Sequence, residues 1–503
     1  KVGAGVGRDL RTKVFNKVVN FSDAEINKFS TASLITRTTN DVQQVQMVTV
    51  MLLRMVLYAP IMAVGGIIMV IRTGAGMGYI IAIAVVAIAV LMILLMAFAM
   101  PKFKIMQKLV DKVNLVSREI LTGIPVIRAF SREKHEEKRF DDANKELTGV
   151  MLYTNRVMTF MMPALMIIMN VMSILIVWTS AHRIDAGVME VGTMTAFITY
   201  TMMIVMAFLM LTMISIMLPR AGVAADRIDE VLKTEVSVNN STDAVDAGRS
   251  KGVVRFNHVS FAYPEAEGKV LDDIDFEASP GTTTAIIGST GCGKSTLVNL
   301  IPRFFDVTEG SITLDGRDIR NITLESLREN IGYVPQKGIL FSGTIADNIK
   351  YGQLVESDED MLEAAEIAQA TEFIEAKPDK YESQVAQGGN NVSGGQKQRL
   401  SIARAIARDP MIYIFDDSFS ALDFKTDAAL RKALAPKVKD KTVLIVAQRI
   451  STVMHAEQII VLDDGKVAGI GTHKELMENC EIYRQIAGSQ LSESELKKSL
   501  EVK

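Results

Sequence analysis

Four long runs of this sequence contain no Asp, Glu, Lys or Arg. They cover residues 55–71, 79–100, 157–181 and 193–218, and each is near or above the roughly 17–25 residues with which an α-helix crosses a bilayer. Hydrophobic residues make up 49% of the chain, which is too high for an average soluble protein. We therefore predict four transmembrane helices, at about 47–71, 79–100, 157–181 and 193–218.

The connections between these runs alternate in charge. Lys and Arg crowd the stretches 1–17 and 102–139, whereas the short connections 72–78 and 182–192 carry one Arg each. The positive-inside rule places the long basic stretches in the cytosol. The alternative, four buried helices of a large soluble protein, leaves this alternation without a cause. Because the sequence begins at Lys1 rather than Met, we expect it to be a fragment that lacks earlier membrane helices.

The second half of the chain contains a glycine-rich loop. Residues 288–295 read Gly-Ser-Thr-Gly-Cys-Gly-Lys-Ser and fit the pattern G-x-x-x-x-G-K-[ST]. The glycines let successive backbone N–H groups point at one anion, Lys294 supplies a mobile positive charge, and the hydroxyl of Ser295 can bind Mg²⁺. Residues 283–287 are typical of a buried strand and residues 296–300 of a helix whose N-terminus faces phosphates. This context predicts a phosphate-binding loop rather than an idle turn.

Two further motifs follow this loop. Val392–Gln396 reads Val-Ser-Gly-Gly-Gln, and residues 398–407 after it are typical of a helix. The glycines permit a close backbone approach, and the positive end of the helix favours an anion there. Asp416 ends the apolar run 411–415, which is typical of a strand buried on both faces, so its carboxylate is expected to point towards Mg²⁺.

These motifs occur in a fixed order that resembles the ATP-binding cassette (ABC) family, exporter type. The order is Tyr263, the phosphate loop, Gln336, Val392–Gln396, Asp416 with Ser420-Ala421-Leu422-Asp423 after it, and Gln448. The resemblance covers essentially the whole chain. It implies an all-α transmembrane domain of ABC exporter type, here without its N-terminal helices, fused to an α/β P-loop ATP-binding cassette.

The resemblance and the composition together divide the chain. We expect a transmembrane domain at 1–232, a polar linker at 233–252, a nucleotide-binding domain at 253–489 and a tail at 490–503. The segments at about 18–37 and 123–140 resemble the cytosolic loops through which exporters of this family contact their cassettes. Within them we expect coupling helices at Asp23–Phe29 and Phe130–Glu136.

The resemblance also implies the cofactors ATP and Mg²⁺. In the family, two cassettes face head to tail, so each nucleotide lies between the phosphate loop of one and the Ser-Gly-Gly-Gln motif of the other. Tyr263 is expected to stack on adenine, and Gln336 to contact the metal and the transmembrane domain. The expected nucleotide-binding residues are Tyr263, Gly288, Ser289, Thr290, Gly291, Cys292, Gly293, Lys294, Ser295, Thr296, Gln336, Ser393, Gly394, Gly395, Gln396 and Asp416. Ser295, Gln336 and Asp416 are the expected metal ligands.

The expected catalytic positions are Asp417, Gln448 and Asp423, and two of them depart from the family pattern. Where the family usually has a glutamate as general base, this chain has Asp417, whose carboxylate is one methylene short. A misplacement of about 1 Å can cost on the order of 100-fold in rate. Where the family has a switch histidine, this chain has Gln448, which cannot donate from a cation. We predict a degenerate site that binds Mg-ATP and hydrolyses it slowly, although Asp417 could still serve as the base.

The predicted function is ATP-driven export by one subunit of a heterodimeric, multidrug-type bacterial exporter in the cell membrane, with its cassette in the cytoplasm. The expected partner is a non-identical half-transporter that carries the missing glutamate and histidine, and no nucleic acid is expected at a net charge of -3. Because 25 of the 29 methionines lie between Met47 and Met217, apolar or amphiphilic small molecules, drug-like or lipid-like, are the favoured cargo. A homodimeric exporter with slow ATPase and an ATP-gated channel are the alternatives.

Overall fold

The computed structural model of the chain describes residues 1–73, 76–264, 266–492, 495–496 and 499, with backbone only at 96, 104, 211–216 and 219–220. Positions 493–494, 497–498 and 500–503 of the predicted tail, and 74–75 of the first short connection, lie outside the described residues. The chain divides into two compact units, residues 1–14 with 36–230 and residues 15–35 with 231–503. This division differs from the predicted domain 1–232, because residues 15–35 make their contacts with the second unit.

Helices account for most of the chain up to residue 233. They are α1 (Val2–Val19), α2 (Asp23–Phe29), α3 (Thr31–Thr36), a π-helical turn (Arg37–Asp41), α4 (Val42–Arg72), α5 (Gly78–Ala129), α6 (Glu133–Thr159), α7 (Met161–Asp185) and α8 (Val191–Lys233). Within the described residues, four helical stretches are long and apolar enough to cross a membrane: Thr31–Arg72, Gly78–Ala129, Glu133–Asp185 and Val191–Met210. The first three apolar runs of the sequence lie within these stretches, and the fourth, 193–218, overlaps Val191–Met210 as far as residue 210.

The first unit buries one apolar cluster and exposes much of its remaining apolar surface. Met77, Ile88, Ile176 and Phe197 are almost completely buried where α4, α5, α7 and α8 meet. Large apolar side chains on the outer faces of the same helices are exposed, Trp178 among them at 68%. Water would not favour such a surface, whereas lipid tails solvate it as well as another helix does.

The second predicted coupling helix, Phe130–Glu136, was wrong as a single helix. α5 ends at Ala129 and α6 begins only at Glu133. Between them Ser131 adopts a φ of 51°, and the N–H of Arg132 donates to the carbonyl oxygen of Ile127 at 2.9 Å. A left-handed residue of this kind ends an α-helix, so the chain turns here.

The second unit contains a cassette of two main sheets and flanking helices. Its strands are β1 (Val254–Phe261), β2 (Leu271–Ala278), β3 (Thr283–Gly288), β4 (Glu309–Leu314), β5 (Arg317–Asp318), β6 (Ile331–Val334), β7 (Gly343–Thr344), β8 (Gln384–Val385), β9 (Ile412–Asp416), β10 (Thr442–Val446), β11 (Gln458–Asp463) and β12 (Lys466–Gly471). Its helices are α9 (Lys294–Leu300), α10 (Leu324–Glu329), α11 (Ile345–Lys350), α12 (Asp358–Ile367), α13 (Thr371–Glu375), α14 (Gly394–Ala407), α15 (Phe424–Leu434), α16 (Ile450–Val453), α17 (His473–Asn479) and α18 (Glu481–Gln490).

The larger sheet has the strand order β12-β11-β3-β10-β9-β6, and only β12 runs antiparallel to its neighbour. The smaller sheet is antiparallel with the order β2-β1-β4-β5. The central strands β9 and β10 are buried at every residue, as expected of a parallel sheet covered on both faces. Because β3, β10 and β9 are parallel neighbours, their carboxyl ends meet at one edge, where parallel sheets commonly bind ligands.

Candidate nucleotide-binding site

The glycine-rich loop joins β3 to α9 in the second unit. Gly291 and Gly293 adopt φ values of 88° and 97°, which side chains with a Cβ rarely tolerate. A Cβ on Gly288 would lie 2.1 Å from the carbonyl oxygen of Leu462. The amino group of Lys294 donates to the carbonyl oxygens of Gly288 and Ser289 at 2.9 and 2.6 Å. The lysine thus holds the two ends of the loop together and keeps its charge inside the loop.

A hydroxyl and a carboxylate meet beside this loop. Ser295, in the first turn of α9, donates to Oδ1 of Asp416 at the end of β9, at 2.9 Å. Burial raises the pKa of Asp416, and the hydrogen bond from Ser295 opposes part of that shift. Both groups are hard oxygen donors, the kind that Mg²⁺ prefers, and a bound cation would relieve the cost of burying this carboxylate.

Asp417 lies at the centre of a small polar network. Its backbone has a φ of 47°, its N–H donates to the carbonyl oxygen of Val446 at 3.0 Å, and its side chain is buried. The side-chain amide of Gln448 donates to Oδ2 of Asp417 at 3.1 Å, and that of Gln336 reaches the same oxygen at 3.5 Å. Burial raises the pKa of Asp417, and the hydrogen bonds from Gln336 and Ser420 oppose this only in part. The structure therefore brings together the two positions that depart from the family pattern.

The Ser-Gly-Gly-Gln motif begins α14. Ser393 is its N-cap, and a capping box joins Ser393 to Gln396: the N–H of Gln396 donates to Oγ of Ser393 at 3.3 Å, and the N–H of Ser393 to Oε1 of Gln396 at 3.0 Å. Within the described part of the chain, a Cβ on Gly394 would meet no heavy atom within 4 Å. The packing of this chain therefore does not require glycine at that position.

Two further predicted residues have clear local partners. Asp423 is the N-cap of α15 and accepts from the N–H and hydroxyl of Thr426 at 3.0 and 2.7 Å, which lowers the pKa of this exposed carboxyl. The hydroxyl of Tyr263 lies 2.8 Å from Oγ1 of Thr296. Its ring packs edge-on against Phe261 and Phe305, with ring centroids 4.9 and 5.2 Å away. These contacts hold the ring beside the phosphate loop.

The helix α2 is fastened to the polar segment that follows α8. Glu25 is only 6% exposed and accepts from the N–H and hydroxyl of Ser22, both at 2.7 Å, and from the N–H of Ser237 at 3.1 Å. The hydroxyls of Ser22 and Ser237 are 2.8 Å apart. Burial acts to raise the pKa of Glu25, but the hydrogen bonds from Ser22 and Ser237 outweigh it, so the pKa lies below its ordinary value.

Three residues of the second unit make contacts that the sequence did not predict. They are Glu25, described above; Arg431, whose guanidinium lies 4.3 Å from the ring centroid of Phe419; and Gln490, which bonds the backbone at Gln448 and Ile450. Only Glu25 carries a local signal, because Ser22 and Glu25 have the spacing of a capping box. The other two contacts depend on tertiary packing.

Comparison with known proteins agrees with this geometry. The family model "ABC transporter transmembrane region" matches residues 1–208, and the model "ABC transporter" matches residues 271–420. An uncharacterized ABC transporter ATP-binding protein of Mycobacterium tuberculosis is 44% identical over 499 residues, which cover 97% of this chain and 84% of the relative. YgaD of Bacillus subtilis, provisionally named a multidrug export ATP-binding/permease protein, is 37% identical over 73% of this chain and 63% of its own length.

A solved structure shares the fold. A bacterial Atm1-family ABC exporter with ATP bound is similar with a TM-score of 0.80 and 26% identity, over 98% of this chain and 86% of that chain. Both halves are therefore accounted for, an all-α transmembrane region and an α/β ATPase domain that follows it. The chain belongs to the ABC transporter family, as an exporter half-transporter whose transmembrane domain is fused to its nucleotide-binding domain.

Proposed function

We propose that this half-transporter works as one subunit of a heterodimeric exporter, and that its own ATP site is degenerate. The site binds the nucleotide and hydrolyses it slowly, while Ser393–Gln396 completes a faster site on a non-identical partner. The cargo is an apolar or amphiphilic small molecule, drug-like or lipid-like, exported across the cell membrane. The name of YgaD supports a multidrug-type cargo for this chain as well.

The observation that carries the proposal is the 3.1 Å hydrogen bond from the side-chain amide of Gln448 to Oδ2 of Asp417. A general base needs a lone pair directed at the attacking water, within hydrogen-bond reach. Here the oxygen of a shortened base accepts from an uncharged amide, and no histidine stands at the switch position to donate from a cation. Both departures fall on one carboxylate, so this site favours retention of ATP over hydrolysis.

The residues around the phosphate loop fit ATP and Mg²⁺. The loop offers backbone N–H groups and the ammonium of Lys294 to phosphates, and Tyr263 offers an aromatic ring for adenine. Ser295 and Asp416 provide two hard oxygen ligands for Mg²⁺, and Gln336 a third from the neighbouring loop. When bound, the ion supplies charge neutralisation at the phosphates. The role of the chain's own residues is to hold and orient the triphosphate.

The start of α14 supports a site shared with a second molecule. Gly394 begins α14 although alanine would fit within this chain and would favour the helix by up to about 1 kcal/mol. The approach of a second molecule would explain the glycine, because a phosphate of the partner's nucleotide can reach the backbone N–H groups only where no side chain covers them. The capping box of Ser393 and Gln396 fixes the backbone conformation at the start of α14.

The segment 18–37 supports coupling to the cassette. Its helix α2 packs Ala24 against the core of the cassette, and Glu25 bonds Ser237 in the linker. A movement of the cassette that shifts Ser237 would therefore shift α2 with it. We assign coupling to this segment and, with the turn at Phe130–Arg132, to 123–140.

The test uses the chain alone in liposomes. The wild-type chain should hydrolyse ATP slowly, and Asp417→Glu combined with Gln448→His should raise turnover by 10-fold or more, because both missing groups are restored at every site. Lys294→Ala in the double variant serves as the inactive control. Brisk hydrolysis by the self-paired wild type, with no gain in the double variant, would contradict the degenerate site.

A paired measurement tests the heterodimer. The chain is coexpressed with a half-transporter that carries glutamate and histidine at the corresponding positions, and ATPase is measured after glutamate→Gln in the partner or Asp417→Asn here. The partner substitution should abolish turnover, whereas Asp417→Asn should change it only a few-fold. Equal collapse from both would contradict the asymmetric assignment.

A further inference from the structure

The last residue of α18 bridges the loop that carries Gln448. The side-chain nitrogen of Gln490 donates to the carbonyl oxygen of Gln448, and its side-chain oxygen accepts from the N–H of Ile450, both at 2.8 Å. One carboxamide thus uses its donor and its acceptor on two backbone groups of the segment Gln448–Ile450, which we call the switch loop. The N-cap of α16, Arg449, makes no side-chain capping bond, so Gln490 satisfies a helix N–H that would otherwise need water.

The helix that presents Gln490 is well anchored. Tyr483 of α18 is completely buried, and its hydroxyl lies 2.8 Å from Nδ1 of the buried His473 on α17. Ala487 is also completely buried, and Leu491 packs against the same core directly after the helix. The carboxamide of Gln490 is therefore attached to a well-packed helix. In the switch loop Ile450 is buried in the same core, whereas Gln448 and Arg449 are exposed.

The side chain of Gln448 depends on a fixed backbone for its direction. Gln448 and Arg449 are exposed, so core packing does not set the direction of the Gln448 side chain. That side chain nevertheless reaches Oδ2 of Asp417 at 3.1 Å. An exposed glutamine has several rotamers of similar energy. The N–H of Ala447 donates to the carbonyl oxygen of Ile286 at 3.0 Å before Gln448, and Gln490 holds the backbone after it, which restricts where the Gln448 amide can go.

We propose that Gln490 is a positioning residue for the degenerate ATP site: it holds the switch loop so that Gln448 stays on Asp417, and this prolongs the retention of nucleotide. The inference rests on the proposed function, because prolonged retention matters only at a site that hydrolyses slowly. It assigns to the end of α18 control over a carboxylate 73 positions earlier in the sequence.

The test uses the 503-residue chain in lipid nanodiscs with a fluorescent ATP analogue and Mg²⁺. Gln490→Leu removes both bonds at similar size, and Gln490→Glu keeps the acceptor for Ile450 but loses the donor to Gln448. Gln485→Leu is the matched control, since this exposed glutamine of α18 contacts Glu481 on its own helix. Two quantities are measured: hydrogen exchange of the Ile450 amide and the release rate of the analogue.

We expect Gln490→Leu to speed exchange at Ile450 by 10-fold or more and analogue release several-fold. Gln490→Glu should keep the Ile450 amide protected yet release the analogue as fast as Gln490→Leu, and Gln485→Leu should change neither quantity. In a Gln448→Ala background, Gln490→Leu should add nothing to the release rate, because the side chain to be positioned is gone. If Gln490 had only a structural role, Gln490→Leu would still speed analogue release in the Gln448→Ala background.

Two results would overturn the inference. Unchanged exchange at Ile450 in Gln490→Leu would mean that the bridge does not form in solution. Faster exchange with unchanged analogue release would mean that the bridge does not act on the ATP site. A failure of the proposed function can be told apart from a failure of this inference. It would appear as brisk ATP hydrolysis by the wild-type chain, independent of the exchange rate measured at Ile450.

Discussion

Ser295 donates its hydroxyl hydrogen to Oδ1 of Asp416 across 2.9 Å, which joins the first turn of α9 to the end of β9. The two oxygens belong to segments 121 positions apart in the sequence, and they meet because β3, β10 and β9 are parallel neighbours. Metal affinity at this site should therefore depend on both side chains, whereas the affinity for phosphate should depend mainly on the loop.

The first prediction concerns metal-dependent binding. Ser295→Ala should weaken binding of the ATP analogue on the order of 10-fold in Mg²⁺, or about 1.4 kcal/mol, and much less in EDTA, because it removes a metal ligand and no phosphate contact. Fluorescence titration of the chain under both conditions measures this. Ser311→Ala, which changes a hydroxyl on β4 bonded to Asn257, is the control. Equal losses with and without Mg²⁺ would argue against a ligand role for Ser295.

The second prediction concerns the pH dependence of stability. Burial raises the pKa of Asp417 in the folded protein above its unfolded value of about 3.9. Ionised Asp417 therefore destabilises the fold fully above the folded pKa, and this cost is absent below the unfolded pKa, where the carboxyl is protonated in both states. Asp417→Asn should therefore raise the melting temperature at pH 7.5, and the gain should vanish towards pH 4. Thermal unfolding in EDTA without nucleotide measures it.

Asp423→Asn supplies a control of opposite sign. The pKa of Asp423 is lowered by Thr426, so its ionised form stabilises the fold above the unfolded pKa, and this contribution is lost as the pH falls through the folded value. The variant should lower the melting temperature slightly at pH 7.5, and the difference from the wild type should shrink as the pH falls below the unfolded pKa of about 3.9. The same sign for both variants would contradict the assigned burial of Asp417.

The third prediction separates stability from assembly at Gly394. Gly394→Ala should leave the stability unchanged or raise it by up to about 1 kcal/mol, because the added methyl group has space and alanine favours the helix. The proposed shared site nevertheless requires the ATPase of the heterodimer to fall at least 10-fold, since it puts the partner's nucleotide against the backbone that the methyl group would cover. Gly268→Ala, at another open position, should leave the ATPase intact. Full activity of Gly394→Ala would count against a shared site.

The fourth prediction concerns coupling. Glu25→Gln replaces one acceptor oxygen by a donor, so a bond from Ser22 or Ser237 is lost inside a buried contact, at a cost of about 1–3 kcal/mol. We expect ATP hydrolysis to continue while ATP-driven uptake of an amphiphilic dye into inside-out vesicles falls. Glu235→Gln changes an exposed glutamate of the same polar segment and should leave both intact. Parallel loss of hydrolysis and uptake would point to misfolding instead.

Local features of the fold were predictable, and long-range contacts were not. The strand before the phosphate loop and the helix after it lie where the sequence indicates, because glycine spacing and apolar runs act over a few residues. α2 likewise occupies Asp23–Phe29, which Ser22 caps. The turn at Phe130–Arg132 was missed because it depends on the left-handed conformation of Ser131, a residue without a strong preference for it.

The network of the candidate site shows the same limit. Asp417 and Gln448 each depart from a family pattern, and the resemblance assigns both to one ATP site, but it does not predict the hydrogen bond between their side chains. The bridge from Gln490 joins residues 42 positions apart, and the contact of Glu25 with Ser237 joins residues 212 apart. Such pairs arise from the packing of whole elements, which no local pattern encodes.

The hydrogen bonds of Lys294 affect how strongly a triphosphate binds to the loop. Its ammonium already rests on the carbonyl oxygens of Gly288 and Ser289, so an incoming phosphate exchanges these partners for its own oxygens rather than meeting an idle charge. Affinity at this loop is therefore a difference between two sets of contacts, and a weakly charged mimic gains little from the exchange. Selectivity for a highly charged ligand therefore follows from the loop's internal hydrogen bonds, because a ligand binds well only when its contacts with Lys294 are stronger than those of the backbone carbonyls.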